Sequence, residues 1–243
     1  MALYAIGDLH LSFAKDKPMD IFGDHWEDHA EKLRQGFACV RPEDTTVLCG
    51  DLSWGMGLPE TLPDFRFIDA LPGKKIILKG NHDYWWSTAT KAKRFFADNG
   101  ITSIDILHNN CFAYGDYALC GTRGWFYDEK TQSIPADYEK LVSREAARAE
   151  HSLAAGDALR GERAMPSVLF LHFPPVWGDF VCRPLLDVIR AHGVTEVYFG
   201  HIHGRYDLPP KVEFEGVSLN LISADYLNFI PQKVWQRNFP KNS

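Results

Sequence analysis

The sequence predicts an α/β fold organised around a largely parallel sheet. Three observations lead there. Through the first hundred residues, short apolar runs of strand character alternate with amphipathic stretches of helix character, the pattern of βαβ units. Four runs stop at a glycine followed by a carboxylate, an amide or an imidazole: Gly7-Asp8, Gly50-Asp51, Gly80-Asn81 and Gly200-His201. Past residue 100 the runs shorten and glycine turns appear, so hairpins join the parallel strands.

Residues 2–6 form an apolar run and read as a buried strand. Residues 26–38 read as a helix with Asp24 as its cap. Residues 45–48 are the next strand, and 61–70 are helical. Residues 75–78 form a strand that ends at Gly80-Asn81, and 87–97 a helix that stops near Asn99-Gly100. Residues 101–107, 111–114 and 117–121 read as short strands, with Gly115-Asp116 as a hairpin turn. Residues 136–160 are rich in Ala, Glu and Arg, and Val142, Ala146, Ala149 and Leu153 share one helix face by their four-three-four spacing. Residues 168–171 form a strand that delivers His172. Residues 184–192 form a helix closed by Gly193. Residues 196–199 lead into Gly200-His201-Ile202-His203, and 212–214 with 217–222 make a closing hairpin. Residues 11–23 and 122–135 are the longest unassigned segments, either functional loops or disordered ones.

A length of 243 residues suits a single domain over 1–243, with a helical insertion at about 136–163. Apolar content of 45% and charged content of 24% are ordinary for a soluble chain. The net charge of −6 and the lack of a basic run argue against nucleic acid as a partner. Five cysteines, an odd number without a Cys-x-x-Cys pair, argue against a disulfide framework or a zinc ribbon and for core residues in a reducing compartment. Strand character from Ala2 leaves no room for a leader, and no apolar run has the length of a membrane span. The expectation is a cytoplasmic protein with no membrane partner. Nothing in the sequence reads on oligomeric state.

The chemistry sits in five motifs: Asp8-Leu9-His10, Gly50-Asp51, Gly80-Asn81-His82-Asp83, His172 in Leu-His-Phe-Pro-Pro, and Gly200-His201-Ile202-His203. Their oxygen and nitrogen donors suit two metal ions. Two adjacent cations repel, and a carboxylate between them offsets that repulsion; Asp51 is the candidate bridge. Asp8 and His10 alternate along an extended segment and can project to one side. With Asp51 and His203 they complete one site, and Asn81, His172 and His201 complete the other with Asp51. The same alternation lets His201 and His203 serve adjacent metals. A donor set without thiolate suits Mn, Fe or Zn better than Mg or Ca. Two such ions share a bridging water whose hydroxide attacks phosphorus, and His82 is placed by sequence to protonate the leaving group.

Three further features carry two readings each. Asp83 either caps a helix near Trp86 or takes part in the chemistry. Arg123 either grips phosphate with paired hydrogen bonds or forms a surface ion pair. Tyr84, Trp85 and Trp86 either pack in the core or line a pocket mouth with Trp54 and Trp125.

These five blocks, in this order over residues 8 to 203, resemble the calcineurin-like metallophosphoesterase superfamily. The resemblance implies a four-layer αββα sandwich of two mixed sheets flanked by helices. It implies the same ligand set, Asp8, His10, Asp51, Asn81, His172, His201 and His203, and the acid role of His82. One position departs: many relatives carry a carboxylate or Asn three residues after the bridging Asp, where this chain has Trp54. That argues against a protein phosphatase and leaves Ser53 or Asp83 to orient His82. The expected function is dimetal-dependent hydrolysis of a small phosphorylated substrate, a monoester or a diester. A nuclease, or a non-catalytic metal-binding scaffold for a protein partner, is the alternative.

Overall fold

A computed structural model describes residues 1–127, 136–161 and 165–234. In chain order the strands of the first half are β1 (Leu3–Ile6), β2 (Thr45–Cys49), β3 (Lys74–Leu78), β4 (Ile104–Ile106), β5 (Cys111–Tyr114) and β6 (Tyr117–Thr122). Those of the second half are β7 (Ser167–Leu171), β8 (Val176–Trp177), β9 (Phe180–Val181), β10 (Glu196–Phe199), β11 (Lys211–Phe214), β12 (Val217–Leu221) and β13 (Gln232–Lys233). The helices are α1 (His29–Gly36), α2 (Leu62–Ala70), α3 (Ala89–Asp98), α4 (Tyr138–Arg160) and α5 (Arg183–Ala191).

One sheet runs β13-β1-β2-β3-β4, the other β11-β12-β10-β7-β6-β5. Each is mixed: β1 to β4 are parallel and β13 antiparallel, while β12, β10, β7 and β6 are parallel and flanked by antiparallel β11 and β5. Alternation along each strand sorts side chains into layers. Leu3 and Ala5 of β1 meet Phe170 and Tyr198 of the second sheet in a central core. Ile6, Leu48 and Ile77 face the other way, onto Leu33, Phe65 and Phe96 of the helices. Leu169, Val197 and Phe199 pack outward on Leu153 of α4 and Ile189 of α5. Helix, sheet, sheet, helix is the four-layer sandwich the resemblance implies.

Register places the functional edge. Ile6 pairs with Leu48 and Leu48 with Ile77, so β1, β2 and β3 end flush. Thr122 pairs with Leu171 and Leu171 with Phe199, so β6, β7 and β10 end flush too. The two edges join where Gly7 N donates to Ile222 O at 2.7 Å. Ligands of open α/β sheets bind beyond such carboxyl ends.

Several expectations change. The helix expected over 26–38 begins only at His29, because Asp28 takes a left-handed conformation (φ 48°) and Trp26 closes a separate 3-10 turn over Asp24–Trp26. Asp24 therefore opens that turn and does not cap α1. The strand expected over 101–107 shrinks to β4, since Asp69 Oδ1 takes the backbone N–H of Thr102 and Ser103. Residues 11–23 carry a 3-10 turn at Asp20–Phe22. The short pair β8 and β9, and the edge strand β13, went unread: two-residue strands have no period. The hairpins at 111–121 and 211–221 form as expected. Val142, Ala146, Ala149 and Leu153 are all buried. Residues 128–135 of the long unassigned segment, and 162–163 of the expected helical insertion, lie outside the described residues. Among the described residues all five cysteines are free thiols, and no helix is long and apolar enough to cross a membrane.

Candidate metal centre

The residues of the five motifs gather at the joined strand ends, and the backbone there is not extended. Asp8, His10, Asp51 and His201 all have left-handed φ values of 60°, 46°, 51° and 71°. A non-glycine residue in a sparsely populated region of this kind costs about 1–3 kcal/mol and persists where the surroundings enforce it. Here Asp8 N donates to Gly50 O and His10 N to Asp51 O, both at 2.9 Å, and His201 N donates to Asp8 Oδ2 at 2.8 Å. The two-residue alternation argued for Asp8/His10 and for His201/His203 is thus replaced by turns. Glycine is required where these turns touch. A side-chain carbon on Gly80 would collide with the Asp51 carboxylate, and one on Gly200 with that of Asp8.

Two groups of donors result: Asp8, His10 and His203, and Asp51, His172 and His201. Within each, one donor atom per residue lies within 4.8 Å of the others. Asp51 reaches both: its Oδ2 is 3.7 Å from His10 Nε2 and its Oδ1 is 3.6 Å from His172 Nε2. Asn81 joins the second group, with Oδ1 2.6 Å from His172 Nε2.

The donors fit cations and little else. His172 Nδ1 must donate to the carbonyl of Cys49 at 3.0 Å, and burial pushes its pKa down to about 3. Its Nε2 therefore carries a lone pair, facing the Asn81 oxygen, another acceptor. His203 Nδ1 donates to Asp225 Oδ1 at 2.9 Å, which aims Nε2 at His10 Nε2 (3.3 Å) and Asp8 Oδ1 (3.6 Å). Asp8 Oδ1 and Asp51 Oδ2 are buried without a hydrogen-bond partner. Burial pushes both acids upward, Asp8 to about 8, with the other carboxylate adding to the rise at Asp8. Burial alone would lower His203, but Asp8, Asp225 and Asp51 outweigh it and hold it at about 9. Orphaned buried acceptors facing one another are unfavourable in the bare protein. Metal ions at Asp8, His10, Asp51, Asn81, His172, His201 and His203 would satisfy them, and the nitrogen–oxygen donor set suits transition metals.

His82 stands beside the first group, its ring 5.8 Å from that of His10. Its Nδ1 is 3.1 Å from Tyr84 Oη, so the hydroxyl that orients it comes from two residues on. Neither sequence suggestion for that role fits. Ser53 Oγ donates to Asp64, whose other oxygen takes Phe13 N. Asp83 is fully buried, and its carboxylate accepts from the backbone N–H of Asp51, Leu52, Ser53 and Gly80 and from Trp85 Nε1. It caps no helix near Trp86, because α3 starts at Ala89 with Thr88 as its cap. Asp83 instead pins the loop after β2 to the loop after β3.

Trp54 stacks on His10 at 5.0 Å, with Lys17 Nζ 3.3 Å from its ring centroid. A pocket of about 400 Å³ opens there, lined among others by Trp26, Trp54, His82, His203 and Tyr206. Trp85 and Trp86 go to the core instead, and Trp125 lies near Phe173. Arg123 Nη2 is 3.2 Å from the buried Glu145 Oε1, so its ion pair is not the surface one of the simpler reading. Two contributors went unread in the sequence, Tyr84 as the partner of His82 and Asp225 as the partner of His203. Asp225 lies four residues past the end of β12, and an acid shortly after an apolar strand is the signal that could have found it.

The chain is similar to several known proteins. A structure from Thermus thermophilus, TT1561, is 14% identical, covers 93% of this chain and 91% of its own, and superposes with a TM-score of 0.56. A protein of unknown function from Aquifex aeolicus, AQ665, is 17% identical over 96% of this chain and 95% of its own, with a TM-score of 0.45. At such identities the first likeness shows the fold alone. No curated protein matches the chain. The family described as calcineurin-like phosphoesterase matches residues 1–205, most of the chain. Its enzymes hydrolyse phosphoesters with metal ions, typically two, and the paired donor groups match that expectation. The chain belongs to the calcineurin-like phosphoesterase family.

Proposed function

We propose that the protein hydrolyses a small phosphorylated substrate with two transition-metal ions, Mn, Fe or Zn, as cofactors. Asp8, His10 and His203 would hold one ion and Asn81, His172 and His201 the other, with Asp51 within reach of both. The observation that carries the reading is a set of buried metal-ligating atoms left unsatisfied: His172 Nε2 against Asn81 Oδ1, and the orphaned oxygens of Asp8 and Asp51. When bound, such ions stabilise charge on phosphate oxygens and lower the pKa of water.

The chain's own residues do the rest. Cys49 O and Asp225 fix the tautomers of His172 and His203 and turn their free nitrogens inward. Asp83 ties together the loops that carry Asp51 and Asn81. His82 N donates to Asp51 Oδ1 at 2.7 Å, locking the acid's backbone to the shared carboxylate. The His82 ring faces the pocket and gives a proton to the leaving oxygen, with Tyr84 Oη holding its other nitrogen. Trp54 stacks on His10 at 5.0 Å and covers that side of the buried imidazole.

The test is hydrolysis of bis-p-nitrophenyl phosphate and p-nitrophenyl phosphate after chelation and return of Mn²⁺, with Asp51→Asn alongside. Metal-restored turnover that Asp51→Asn abolishes is expected, and the preferred ester separates phosphodiesterase from phosphatase. Inertness toward both esters with two ions bound, or full activity in Asp51→Asn, would sink the reading.

A further inference from the structure

A second pocket, of about 250 Å³, lies where the two sheet edges continue outward from the donor groups. Lys79 follows β3 and His108 follows β4 on the first sheet. Arg123 follows β6 on the second, and Arg148 reaches in from α4. The pocket thus bridges the same seam as the metal centre, one strand further along on each side.

Its charge is unbalanced. Three basic side chains, Lys79, Arg123 and Arg148, line it; Glu145, buried at 2% exposure, pairs with both arginines, and the charge of Asp83 also reaches Lys79. One oxygen of Glu145 takes both arginines, Arg123 at 3.2 Å and Arg148 at shorter range. Arg123 Nε is buried with no partner, and Lys79 has no ion pair among the described residues. The whole chain carries a net −6, so a half-enclosed pocket lined by three basic side chains stands out from its surroundings. Two arginines that share a single carboxylate oxygen, beside an ammonium with no ion pair, offer donors of the chemistry that recognises an oxyanion.

We infer that this pocket is a second oxyanion site, and that it takes the distal phosphate of a substrate carrying two phosphate groups. Backbone contacts hold the pocket and the metal centre in fixed relation. Arg123 O accepts from His172 N at 3.1 Å and from Phe173 N at 2.9 Å, and Lys79 stands two residues before Asn81. The existence of the oxyanion site stands by itself. The assignment to a substrate's distal group rests on the proposed hydrolysis.

Titration calorimetry of the chelator-stripped protein with inorganic phosphate at low salt reads the pocket without any reaction. Binding that weakens by about tenfold or more in Lys79→Gln and in Arg148→Gln is expected, since hydrogen bonds to charged groups are worth about 1.5–3 kcal/mol. Equal affinity in all three proteins, or no binding by the wild type, overturns the site. If Lys79→Gln fails to fold, Arg148→Gln carries the test, because its side chain is 43% exposed on α4. Kinetics with metal restored then separate the source of the anion. A fall in kcat/KM for a sugar bisphosphate relative to p-nitrophenyl phosphate in the variants assigns the pocket to the substrate. An unchanged ratio, with phosphate binding still weakened, leaves a site for free phosphate and overturns the substrate assignment. Absence of all turnover counts against the hydrolase reading and leaves the calorimetric result standing.

Discussion

The two donor groups differ in what stands behind their imidazoles. His172 is fully buried, and a neutral backbone carbonyl, Cys49 O, holds its Nδ1. Phe173 and Phe126 stand against its neighbour His201, at 4.5 and 5.6 Å between ring centres. His203 is 32% exposed at the mouth of the aromatic pocket, and a carboxylate, Asp225, holds its Nδ1. One side is fixed by enclosure, the other by charge. Burial would raise Asp225, but its bonds from His203, Gly204 N and Tyr206 Oη outweigh that and keep it ionised. If the proposed ions are bound, the difference predicts slower exchange on the enclosed side than on the open one.

Asp51→Asn breaks the comparison outright, because Asp51 is the donor common to both sides. Loss of both ions by elemental analysis is expected, with hydrolysis down by at least about 10²–10³-fold, the scale on which removing a single transition-state stabiliser acts. Retention of one tightly held ion would show that Asp51 serves a single group. Asp225→Asn is the selective change. It leaves Nδ1 of His203 an acceptor oxygen but removes the charge, and the loss of such an outer partner costs about 10–100-fold in metal affinity. Competition with a chelator should show one of two ions weakened and the other unchanged. Equal weakening of both would mean that the two sides behave as one cluster.

Tyr84→Phe tests the open side more gently. It removes the hydroxyl from His82 Nδ1 without touching a donor. A decrease in kcat of about tenfold is expected, less than the roughly 10²–10⁴-fold of a positioned acid because the acid itself remains. KM and metal content should stay near wild type, and Tyr84→His, with a polar atom restored, should recover part of the loss. A change in KM alone would make Tyr84 a pocket wall instead of a positioning residue.

The sequence was readable where one physical rule acts alone. Glycine before a donor at a strand end marked Asp51, Asn81 and His201, and Gly80 and Gly200 turn out to be places where any side-chain carbon would strike a carboxylate. The helix face of α4 followed from its spacing. What could not be read depended on contacts between segments distant in sequence. Asp225 meets His203 across 22 residues, and Asp83 meets the loop at Asp51 across 32. The left-handed turns at Asp8 and His10 are invisible to a pattern argument, because Asp and His have no local need for them. They are held by Gly50 O and Asp51 O in the loop that follows the neighbouring strand β2. Trp54 showed where the chain departs from its relatives, but not that Tyr84 would take over the orientation of His82.

The smallest effect isolates what a carboxylate does to an imidazole when no second imidazole is near. His192, at the end of α5, lies 2.6 Å from Asp157 and 3.0 Å from Glu150 on α4. Burial lowers its pKa, but those two carboxylates outweigh burial and the net shift is upward, the same sense as at His203. A histidine whose folded pKa is raised contributes stability that is complete below its unfolded value, about 6.5, and is lost as pH rises through the folded one. His192→Gln should therefore lower stability by about 0.5 kcal/mol at about pH 6, as expected for a partly exposed ion pair, and by nothing measurable once the imidazole is neutral. Urea denaturation across that range reads the difference directly. A deficit that persists unchanged at alkaline pH would mean that the contact acts as a neutral hydrogen bond. The upward pull attributed to Asp225 at His203 would then need a source other than charge.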